Sequence, residues 1–541
     1  MTWKVPEKRP WFAVWPKGIP KTLKYPNIAL WEFLIQTSKK NPKHTAIIHN
    51  TQRITYKILA QQVDNLAAAL GSLGVKKGDR VLLFLPNIPE YIISYYAVIR
   101  LGAIVTPVNP LAKEGEFNYV FSSVEPAVIV VHAPLYPITA PSLTNFSEDK
   151  VLVVESTETP AGTQPFEALL TNSKAQLPQI DFIPAEDTAV IQFTGGTTGM
   201  PKGTMLTHFN LVANALQNVK WFNWTKEDVM MGTLPLCHSW GACCNMNSTI
   251  MVGATLLLVT RFIPEIALEA IQTEKVTCWY GPPTLFTLLV NHPTLTNYDL
   301  SSLRYVKIGA APIPEEIRRQ WEHLTGVKMI LGYGLTEASP ETLSSPPDDI
   351  RPGTVGIPII DTDAMIVDLE TGSKEILPGE TGELIVRGPQ VMKGYWKDPD
   401  QTRHSLRNGW LYTGDLARID EDGYFLIVDR LKNTIKYKGY SVFPAELENL
   451  LYSHPAVKEC CVVGKPDAFT GEIPKAFIVL KEGYNPTKEE LIEYCKERIA
   501  PYKRIREVEF VDSLPKTAVG KILARELREQ ERRKFQNSKT E

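Results

Sequence analysis

One short segment, residues 192–203, constrains the fold more than any other part of the sequence. It is Gln-Phe-Thr-Gly-Gly-Thr-Thr-Gly-Met-Pro-Lys-Gly, it continues an apolar run that begins at residue 189, and an amphipathic helix pattern over residues 207–220 follows it. Glycines let backbone N–H groups turn toward an anion, while threonine hydroxyls and Lys202 add donors and a positive charge. Composition alone would allow a flexible glycine loop, but the flanking strand and helix patterns favour a cradle for a polyphosphate.

The loop is neither a Walker A motif, since no Gly-Lys-Ser/Thr ends it, nor a GxGxxG motif. It resembles, nearly residue for residue, the phosphate loop of the AMP-forming adenylating enzymes, which include acyl-CoA synthetases, luciferases and peptide-synthetase adenylation domains. The Thr-Gly-Gly-Thr-Thr-Gly form found here is most similar to that of the fatty-acid branch. By this resemblance the ATP-binding residues of the loop are Thr194, Gly195, Gly196, Thr197, Thr198, Gly199 and Lys202.

Size, charge and cysteine content exclude several other classes of protein. A chain of 541 residues is too long for one core and predicts two to four domains or subdomains. The net charge of −2 gives no support for nucleic-acid binding. Seven cysteines without a CxxC pair predict reduced, buried thiols rather than a disulfide framework or a zinc site.

Targeting and membrane segments are not evident in the sequence. No signal peptide is visible, no apolar run reaches the ~20 residues that a membrane span needs, and the C-terminal Ser-Lys-Leu address is absent. We therefore expect a cytoplasmic protein without a transmembrane span. The sequence leaves open whether the chain forms a homodimer and whether it touches a membrane surface.

Strand and helix patterns alternate along most of the chain, which predicts an α/β protein with mostly parallel sheets. Thr55 can cap a helix, and the strand pattern that restarts at residue 189 predicts a second doubly wound layer that begins with the phosphate loop. We predict a large N-terminal domain with two doubly wound α/β subdomains and a β-unit, and a small mobile α+β C-terminal lid domain. The predicted bounds are 1–429 for the first domain (subdomains about 1–186 and 187–339, β-unit 340–429) and 430–541 for the second.

The first thirty residues are rich in Trp, Pro and Lys. Residues 15–20 resemble the start of long-chain acyl-CoA synthetases. We expect an irregular arm laid over a surface, with a solvated arm as an equal alternative.

The segment over residues 331–337, Leu-Gly-Tyr-Gly-Leu-Thr-Glu, follows a predicted strand. Tyr333 offers a face for adenine, Thr336 can bond the α-phosphate, and Glu337 can hold Mg²⁺. Taken alone, the segment favours a loop with a capping threonine. It is similar to the family's Tyr-Gly-x-Thr-Glu segment, and this resemblance implies that Thr194 and Glu337 are the metal-side residues.

Two more segments complete the nucleotide site by resemblance. The side chains of residues 309–312 are small, so a planar base can approach the backbone closely. The alternative is that this segment is a plain tight turn. Asp415, after a predicted glycine turn, can accept bonds from two ribose hydroxyls, although the tetrapeptide alone favours an Asp in a β-turn. The family match makes Asp415 the ribose ligand, with Arg430 assisting from the domain junction. The remaining ATP/AMP residues implied are Gly309, Ala310, Ala311, Pro312, Gly332, Tyr333, Gly334 and Thr336.

The segment over residues 235–241, Pro-Leu-Cys-His-Ser-Trp-Gly, resembles the family's Pro-x-x-His-x-x-Gly segment beside the carboxylate pocket. The resemblance implies an acyl pocket formed by His238, Trp240 and Gly309, in which Trp240 gates or floors a tunnel. A lone histidine on an apolar element is usually structural, so that alternative stays open for His238.

The C-terminal segment carries two basic motifs of the family. Residues 429–440 resemble the hinge and the strand after it: Lys432 takes the hinge position, Lys436 lies on the strand, and Lys438, Gly439 and Tyr440 are implied to bind CoA. Residues 515–522 match the family's C-terminal lysine motif. A solvated charged segment is the alternative for each. The catalytic residues implied by the resemblance are Lys521, Lys202, His238, Lys432 and Lys436.

These motifs, in the family's order, cover residues 11–527 and imply an ATP- and CoA-dependent acyl-CoA synthetase that uses Mg²⁺. The expected acid is a medium- or long-chain fatty acid, with an aryl or short hydroxy acid as the alternative. A peptide-synthetase domain is disfavoured because no carrier domain follows, a luciferase because the resemblance is shared with plain synthetases, and a thioesterase because Gly-x-Ser-x-Gly is absent. From another class, a non-catalytic nucleotide-binding protein remains the alternative.

Overall fold

The computed structural model describes residues 9–171, 177–194, 201–311, 313–438, 440–467, 469–516 and 522–537. The β-strands are β1 (Thr45–His49), β2 (Gln52–Thr55), β3 (Arg80–Phe84), β4 (Ile104–Pro107), β5 (Val128–His132), β6 (Val151–Val154), β7 (Gln164–Pro165), β8 (Thr188–Thr194), β9 (Lys202–Thr207), β10 (Val229–Gly232), β11 (Thr255–Leu258), β12 (Cys278–Gly281), β13 (Tyr305–Ile308), β14 (Met329–Gly334), β15 (Glu341–Ser344), β16 (Ile357–Pro358), β17 (Asp363–Val367), β18 (Gly382–Arg387), β19 (Gly394–Tyr395), β20 (Leu406–Arg407), β21 (Trp410–Ile419), β22 (Phe425–Arg430), β23 (Ile435–Tyr437), β24 (Tyr440–Val442), β25 (Val457–Asp467), β26 (Gly471–Leu480) and β27 (Glu507–Phe510). The α-helices are α1 (Glu32–Lys40), α2 (Tyr56–Ser72), α3 (Pro89–Arg100), α4 (Glu114–Val124), α5 (Tyr136–Thr139), α6 (Phe166–Leu170), α7 (His208–Trp221), α8 (Ser248–Val252), α9 (Pro264–Glu274), α10 (Pro283–Val290), α11 (Glu315–Thr325), α12 (Pro399–Ser405), α13 (Pro444–Tyr452), α14 (Lys488–Lys496) and α15 (Ala524–Asn537).

The first large sheet has the strand order β19-β9-β8-β4-β3-β5-β6-β7. Strands β8 and β9 pair antiparallel, with Thr194 opposite Lys202, so the phosphate segment connects the two strands of a hairpin. The predicted strand before the loop and helix after it are confirmed, but β9 lies between the loop and the helix and was not predicted. The expectation that β8 opens the second layer is wrong, because β8 pairs with β4 of the first sheet.

The second large sheet has the order β16-β15-β14-β13-β12-β10-β11-β1-β2. Its neighbouring strands among β10 to β14 pair in parallel, as expected for a doubly wound layer. Strand β1, from the start of the chain, pairs in parallel with β11 of this sheet. Because each sheet takes strands from both sides of residue 186, the predicted subdomain boundary there does not separate the two sheets.

Helix α3 connects the two large sheets through its packing. Residues 89–99 are buried almost all round, as expected for a helix without a solvent face. The Tyr91 hydroxyl donates to the Leu236 carbonyl (2.8 Å), and the Tyr96 hydroxyl donates to Asn247 Oδ1 (3.0 Å). These bonds fix the segment after β10 relative to the first sheet.

A small antiparallel sheet follows, in the order β17-β18-β21-β20 with β22 paired to β21. It agrees with the predicted β-unit, but the predicted bounds 340–429 are wrong, because β15 and β16 pair within the second large sheet and β19 pairs with β9 of the first. Its longest strand, β21, contains Gly414 and Asp415, where the sequence predicted a glycine turn. That prediction is wrong: Gly414 takes a φ of 69° inside an irregular strand, a conformation that glycine adopts without strain.

The N-terminal arm is anchored on this small sheet. Trp11 is 1% exposed and its ring lies 5.9 Å from that of Phe425, while Arg9 Nε lies 2.9 Å from Asp363 Oδ1. The arm therefore covers a surface, as predicted, and the alternative of a solvated arm is wrong for these residues.

The C-terminal domain has a sheet in the order β24-β23-β26-β25, with β27 paired to β26. Its helices pack on this sheet around a separate apolar cluster that includes Leu447 and Ile478. All seven cysteines of the chain are free and buried, which confirms the prediction from their spacing. In the described part of the chain, no helix combines the length and apolar character needed to cross a membrane.

Glu448, on α13, predicts a pH dependence of stability. Its Oε1 accepts a bond from the Val462 N–H (2.8 Å), and burial raises its pKa from 4.5 to about 7. The folded chain thus holds a proton that the unfolded chain releases between these pH values. We expect the free energy of unfolding to fall by up to about 3 kcal/mol as pH rises from 4.5 to 7, and Glu448→Gln to lack this loss.

The measurement is urea unfolding of both proteins at pH 5 and pH 8. Glu446→Gln is the matched control, since Glu446 lies on the same helix and pairs with Lys503 at the surface (2.7 Å). Equal pH dependence in wild type and Glu448→Gln would contradict the assignment.

Candidate active site

Two of the predicted nucleotide segments follow strands of the second sheet. Strands β13 and β14 are parallel neighbours, and their carboxyl ends lead into residues 309–311 and residues 335–337. Ligands of such sheets bind beyond the carboxyl ends of the strands. Ala310 has a φ of 68°, which a residue with a Cβ adopts only under strain. Such strain is typical of functional sites.

Asp415 lies at the centre of a three-residue group. The Tyr333 hydroxyl donates to Asp415 Oδ2 (2.6 Å), and Arg430 Nε lies 3.3 Å from Asp415 Oδ1. The register of β21 with β22 places Asp415 opposite Arg430. Three residues predicted separately from the sequence are thus brought together around one carboxylate.

Electrostatics keep Tyr333 protonated and Arg430 charged. Burial, followed by the charge of Asp415, raises the pKa of Tyr333 well above its ordinary value, so Tyr333 remains a phenol and a donor. The Asp415 carboxylate raises the pKa of Arg430, which keeps the guanidinium charged. A carboxylate fixed by two donors can accept bonds from further hydroxyls with its remaining lone pairs.

Glu337 and Lys202 meet through a tyrosine that the sequence analysis missed. The Tyr395 hydroxyl donates to Glu337 Oε1 (2.8 Å), and Lys202 Nζ lies 5.6 Å from the centre of the Tyr395 ring. The short strand β19 pairs with β9 and holds Tyr395 opposite Thr204. Nearby, the hydroxyls of Thr336 and Ser239 lie 3.1 Å apart.

Mg²⁺ fits the chemistry of Glu337. Among the described residues, no group of three or more His, Cys, Asp or Glu side chains could hold a metal ion alone. Mg²⁺ commonly binds one or two carboxylates together with substrate phosphates, so the single half-buried carboxylate of Glu337 suits it. The roles of Thr194 and Glu337 as its ligands stay a prediction.

The segment containing His238 is held between the two sheets. Gln192 Nε2, from β8, donates to the Cys237 carbonyl (2.8 Å), and Asn87 Nδ2, after β3, donates to the Leu234 carbonyl (2.9 Å). The Trp240 N–H donates to His238 Nδ1 (3.2 Å). The catalytic role of His238 stays a prediction.

Trp240 and Gly309, predicted as acyl-pocket residues, are in contact. A Cβ added to Gly309 would lie 3.0 Å from Trp240 Cη2, so only glycine lets the indole lie this close. The indole also stacks on Tyr280, with ring centres 6.1 Å apart. A flat apolar wall therefore stands beside the nucleotide residues.

Several predicted site residues lie outside the described part of the chain, and nothing structural follows for them. They are Gly195, Gly196, Thr197, Thr198, Gly199, Pro312, Gly439 and Lys521. Lys432 lies in the turn Leu431–Asn433, Lys436 on β23, Lys438 after it, and Tyr440 on β24. Their catalytic and CoA-binding roles stay predictions.

Two family profiles match the chain: "AMP-binding enzyme" over residues 34–396 and "AMP-binding enzyme C-terminal domain" over residues 446–521. The chain belongs to the AMP-binding enzyme family. A long-chain-fatty-acid–CoA ligase of Bacillus subtilis (strain 168) is 39% identical over 97% of this chain and 98% of its own length. A feruloyl-CoA synthase of an Amycolatopsis species is 34% identical over 93% and 99%. ATP-bound MatB from Rhodopseudomonas palustris, a solved structure, has a TM-score of 0.86 at 30% identity, covering 93% and 99%.

Membership of the AMP-binding family, with relatives that span nearly the whole chain, identifies an AMP-forming acid–CoA ligase with ATP, CoA and a carboxylic acid as substrates. The fold class predicted from the sequence, a large N-terminal α/β domain and a smaller C-terminal domain, is confirmed. The identity of the acid is a separate question.

Tyr395→Phe tests the contact between Glu337 and the strand that carries Lys202. Loss of the hydroxyl leaves Glu337 without its 2.8 Å donor, and a bond to a charged group contributes about 1.5–3 kcal/mol. We expect kcat/KM for ATP to fall by roughly 10–100-fold in an AMP-release assay. Tyr412→Phe, on β21 of the small antiparallel sheet, loses a bond to the Gly372 carbonyl (2.7 Å) and is the control. Equal losses in the two variants would indicate a merely structural role.

Proposed function

We propose that this ligase joins a medium- or long-chain fatty acid to CoA. The contact between Trp240 and Gly309 carries the proposal, because it builds an apolar wall beside the end of β13, where the nucleotide residues begin. The double-glycine form of the phosphate loop and the relative named as a long-chain-fatty-acid–CoA ligase support the same substrate class.

In the first step a carboxylate oxygen attacks the α-phosphorus of ATP. The bond from this phosphorus to the β-bridging oxygen breaks, pyrophosphate leaves, and an acyl-adenylate forms. Asp415 and Arg430 hold the ribose, and Lys202 with the loop threonines stabilises the departing pyrophosphate. Mg²⁺ held by Thr194 and Glu337 would neutralise phosphate charge. The role assigned to Lys521 is to lower the repulsion between the acid and the α-phosphate.

In the second step the C-terminal domain, residues 430–541, turns about Lys432 and withdraws Lys521. The strand carrying Lys436 then faces the acyl-adenylate, and Lys438, Gly439 and Tyr440 line the path of CoA. The thiol sulfur attacks the acyl carbonyl, the bond to AMP breaks, and the thiol proton passes to water. Both steps require only residues of one chain.

An aryl acid is the second candidate. The indole of Trp240 presents a flat face against Gly309, and a flat ring could stack on such a face. The relative named as a feruloyl-CoA synthase points in the same direction.

Measurement of AMP released in the presence of ATP and CoA separates the candidates. The panel runs from acetate through octanoate to palmitate and includes benzoate and ferulate. A maximum among the fatty acids from octanoate upward supports the proposal. A maximum at an aryl acid would replace it with the second candidate, and AMP release with short acids alone would contradict both.

A further inference from the structure

A buried ion pair lies close to the apolar wall. Lys307, on β13, pairs with Glu341, on β15, and their side chains are 2% and 5% exposed. Taking two charges out of water is costly, and buried pairs can often be replaced by apolar residues without loss of stability. Stability alone therefore does not account for a charged pair at this position.

The pair stands on the face of the sheet that carries the pocket glycines. Side chains on a strand alternate between faces, so Lys307 and Gly309 share one face, about 7 Å apart along β13. A Cβ added to Gly332, on the neighbouring strand β14, would lie 2.9 Å from Lys307 Cε. The lysine stem thus fills the space beside Gly332, while the indole of Trp240 fills the space beside Gly309.

Trp240 is connected to the Lys307–Glu341 pair through the ring of Tyr280. Trp240 stacks on Tyr280, and Lys307 Nζ lies 5.2 Å from the centre of the Tyr280 ring. The Tyr280 hydroxyl donates to Asn218 Oδ1 (3.2 Å), and Cys244 Sγ lies 3.7 Å from Glu341 Oε2. Beyond the indole the interior is therefore polar and filled.

We propose that the Lys307–Glu341 pair forms the distal wall of the acyl pocket and limits the length of the acid. The inference rests on the proposed function. A hydrocarbon tail that ran past Gly309 along this face would meet the lysine stem and would have to separate two buried opposite charges, which is strongly unfavourable. The preferred acid is therefore of medium length, and octanoate is used better than palmitate.

The test is the double variant Lys307→Met/Glu341→Leu. It removes both charges at nearly constant volume, so neither partner is left as an uncompensated buried charge. We expect the ratio of kcat/KM for palmitate to that for octanoate to rise at least tenfold over wild type. A ratio that stays within twofold of wild type would overturn the inference.

The matched control is Lys475→Met/Glu531→Leu in the C-terminal domain. This pair is equally buried, 3% and 0% exposed, with Lys475 Nζ 3.0 Å from Glu531 Oε1. Lys475 also pairs with the more exposed Glu507 (2.9 Å) and Glu509 (2.7 Å). We expect its palmitate-to-octanoate ratio to equal that of wild type. A shift as large as that of the pocket variant would show a general effect of buried charges and overturn the inference.

A binding measurement on the wild-type protein tests the inference without requiring that any variant folds. Acyl-sulfamoyl-adenosines of increasing chain length are titrated into the protein by calorimetry. We expect affinity to rise with each added methylene up to a medium length and then to fall. An affinity that rises steadily up to the palmitoyl compound would overturn this inference but not the proposed function. If none of the fatty acids supported AMP release by the wild type, the proposed function would be refuted.

Discussion

Replacement of Lys521 by alanine is expected to slow acyl-adenylate formation by about 10²–10³-fold, or about 3–4 kcal/mol. The carboxylate and the α-phosphate are both anionic, and one preorganised cation between them lowers the repulsion that they must overcome. Residues on both sides of Lys521 are fixed: Lys516 forms a β-bridge with Ile522, and its Nζ lies 2.6 Å from Glu459 Oε1.

Two half-reactions measured separately test this role. Pyrophosphate released on acid addition without CoA reports the first, and acyl-CoA formed from supplied acyl-adenylate and CoA reports the second. We expect the Lys521→Ala variant to lose the first and keep the second. Lys516→Ala is the control, since it removes a neighbouring lysine that pairs with Glu459. Equal losses in both half-reactions of Lys521→Ala would show that the assigned role is wrong.

Replacement of Lys432 by proline is expected to spare adenylation and to reduce thioester formation by on the order of 10²-fold. Lys432 lies in the 3₁₀ turn Leu431–Asn433. The φ angles typical of 3₁₀ turns, about −50° to −70°, include the value that a proline ring imposes. The ring would hold this turn in its present conformation, and the domain could then not rotate to the second arrangement.

The contacts around this turn would have to change if the domain rotates. Asp429, at the end of β22, accepts bonds from the Ala445 N–H (2.9 Å) at the start of α13 and from Asn433 Nδ2 (3.2 Å). Arg528, on α15, donates to Asn433 Oδ1 (3.1 Å). Since Asp429 precedes the hinge and Ala445 follows it, a rotation about Lys432 separates them.

The hinge prediction is tested by the same two half-reactions, with Lys432→Ala as the control for loss of the side chain. Lys432→Ala should retain both activities to a much greater extent than the proline variant. An unchanged overall rate of acyl-CoA formation in Lys432→Pro would argue against domain alternation in this enzyme.

The strands of the two large sheets could be predicted because they are buried on both faces. The strands over residues 305–308 and 255–258 are fully buried. Their sequences are mostly apolar and lie between turn residues, so local sequence is enough to predict a strand there. Strand β9 was missed because the sequence of Lys202–Thr207 looks like the end of a glycine loop. These residues form a strand because they pair with β8. The other partner of β9, the strand β19 (Gly394–Tyr395), is distant in the sequence.

Site residues could be proposed from the sequence where one short segment carries the chemistry, as for Asp415, Tyr333 and Glu337, and their roles stay predictions. It was not predictable where function depends on contacts between distant segments. Tyr395 reaches Glu337 only because β19 pairs with β9. Lys307 and Glu341 meet across β13, β14 and β15, and nothing in the sequence near either residue points to the other.

The path of one oxygen atom tests the acyl-adenylate mechanism most directly. Octanoate labelled with heavy oxygen in its carboxylate is mixed with ATP, CoA and the enzyme, and the products are analysed by mass spectrometry. If the carboxylate attacks the α-phosphorus, one labelled oxygen appears in AMP and none in pyrophosphate. Acyl-CoA formation with unlabelled AMP would contradict the acyl-adenylate and with it the assigned chemistry.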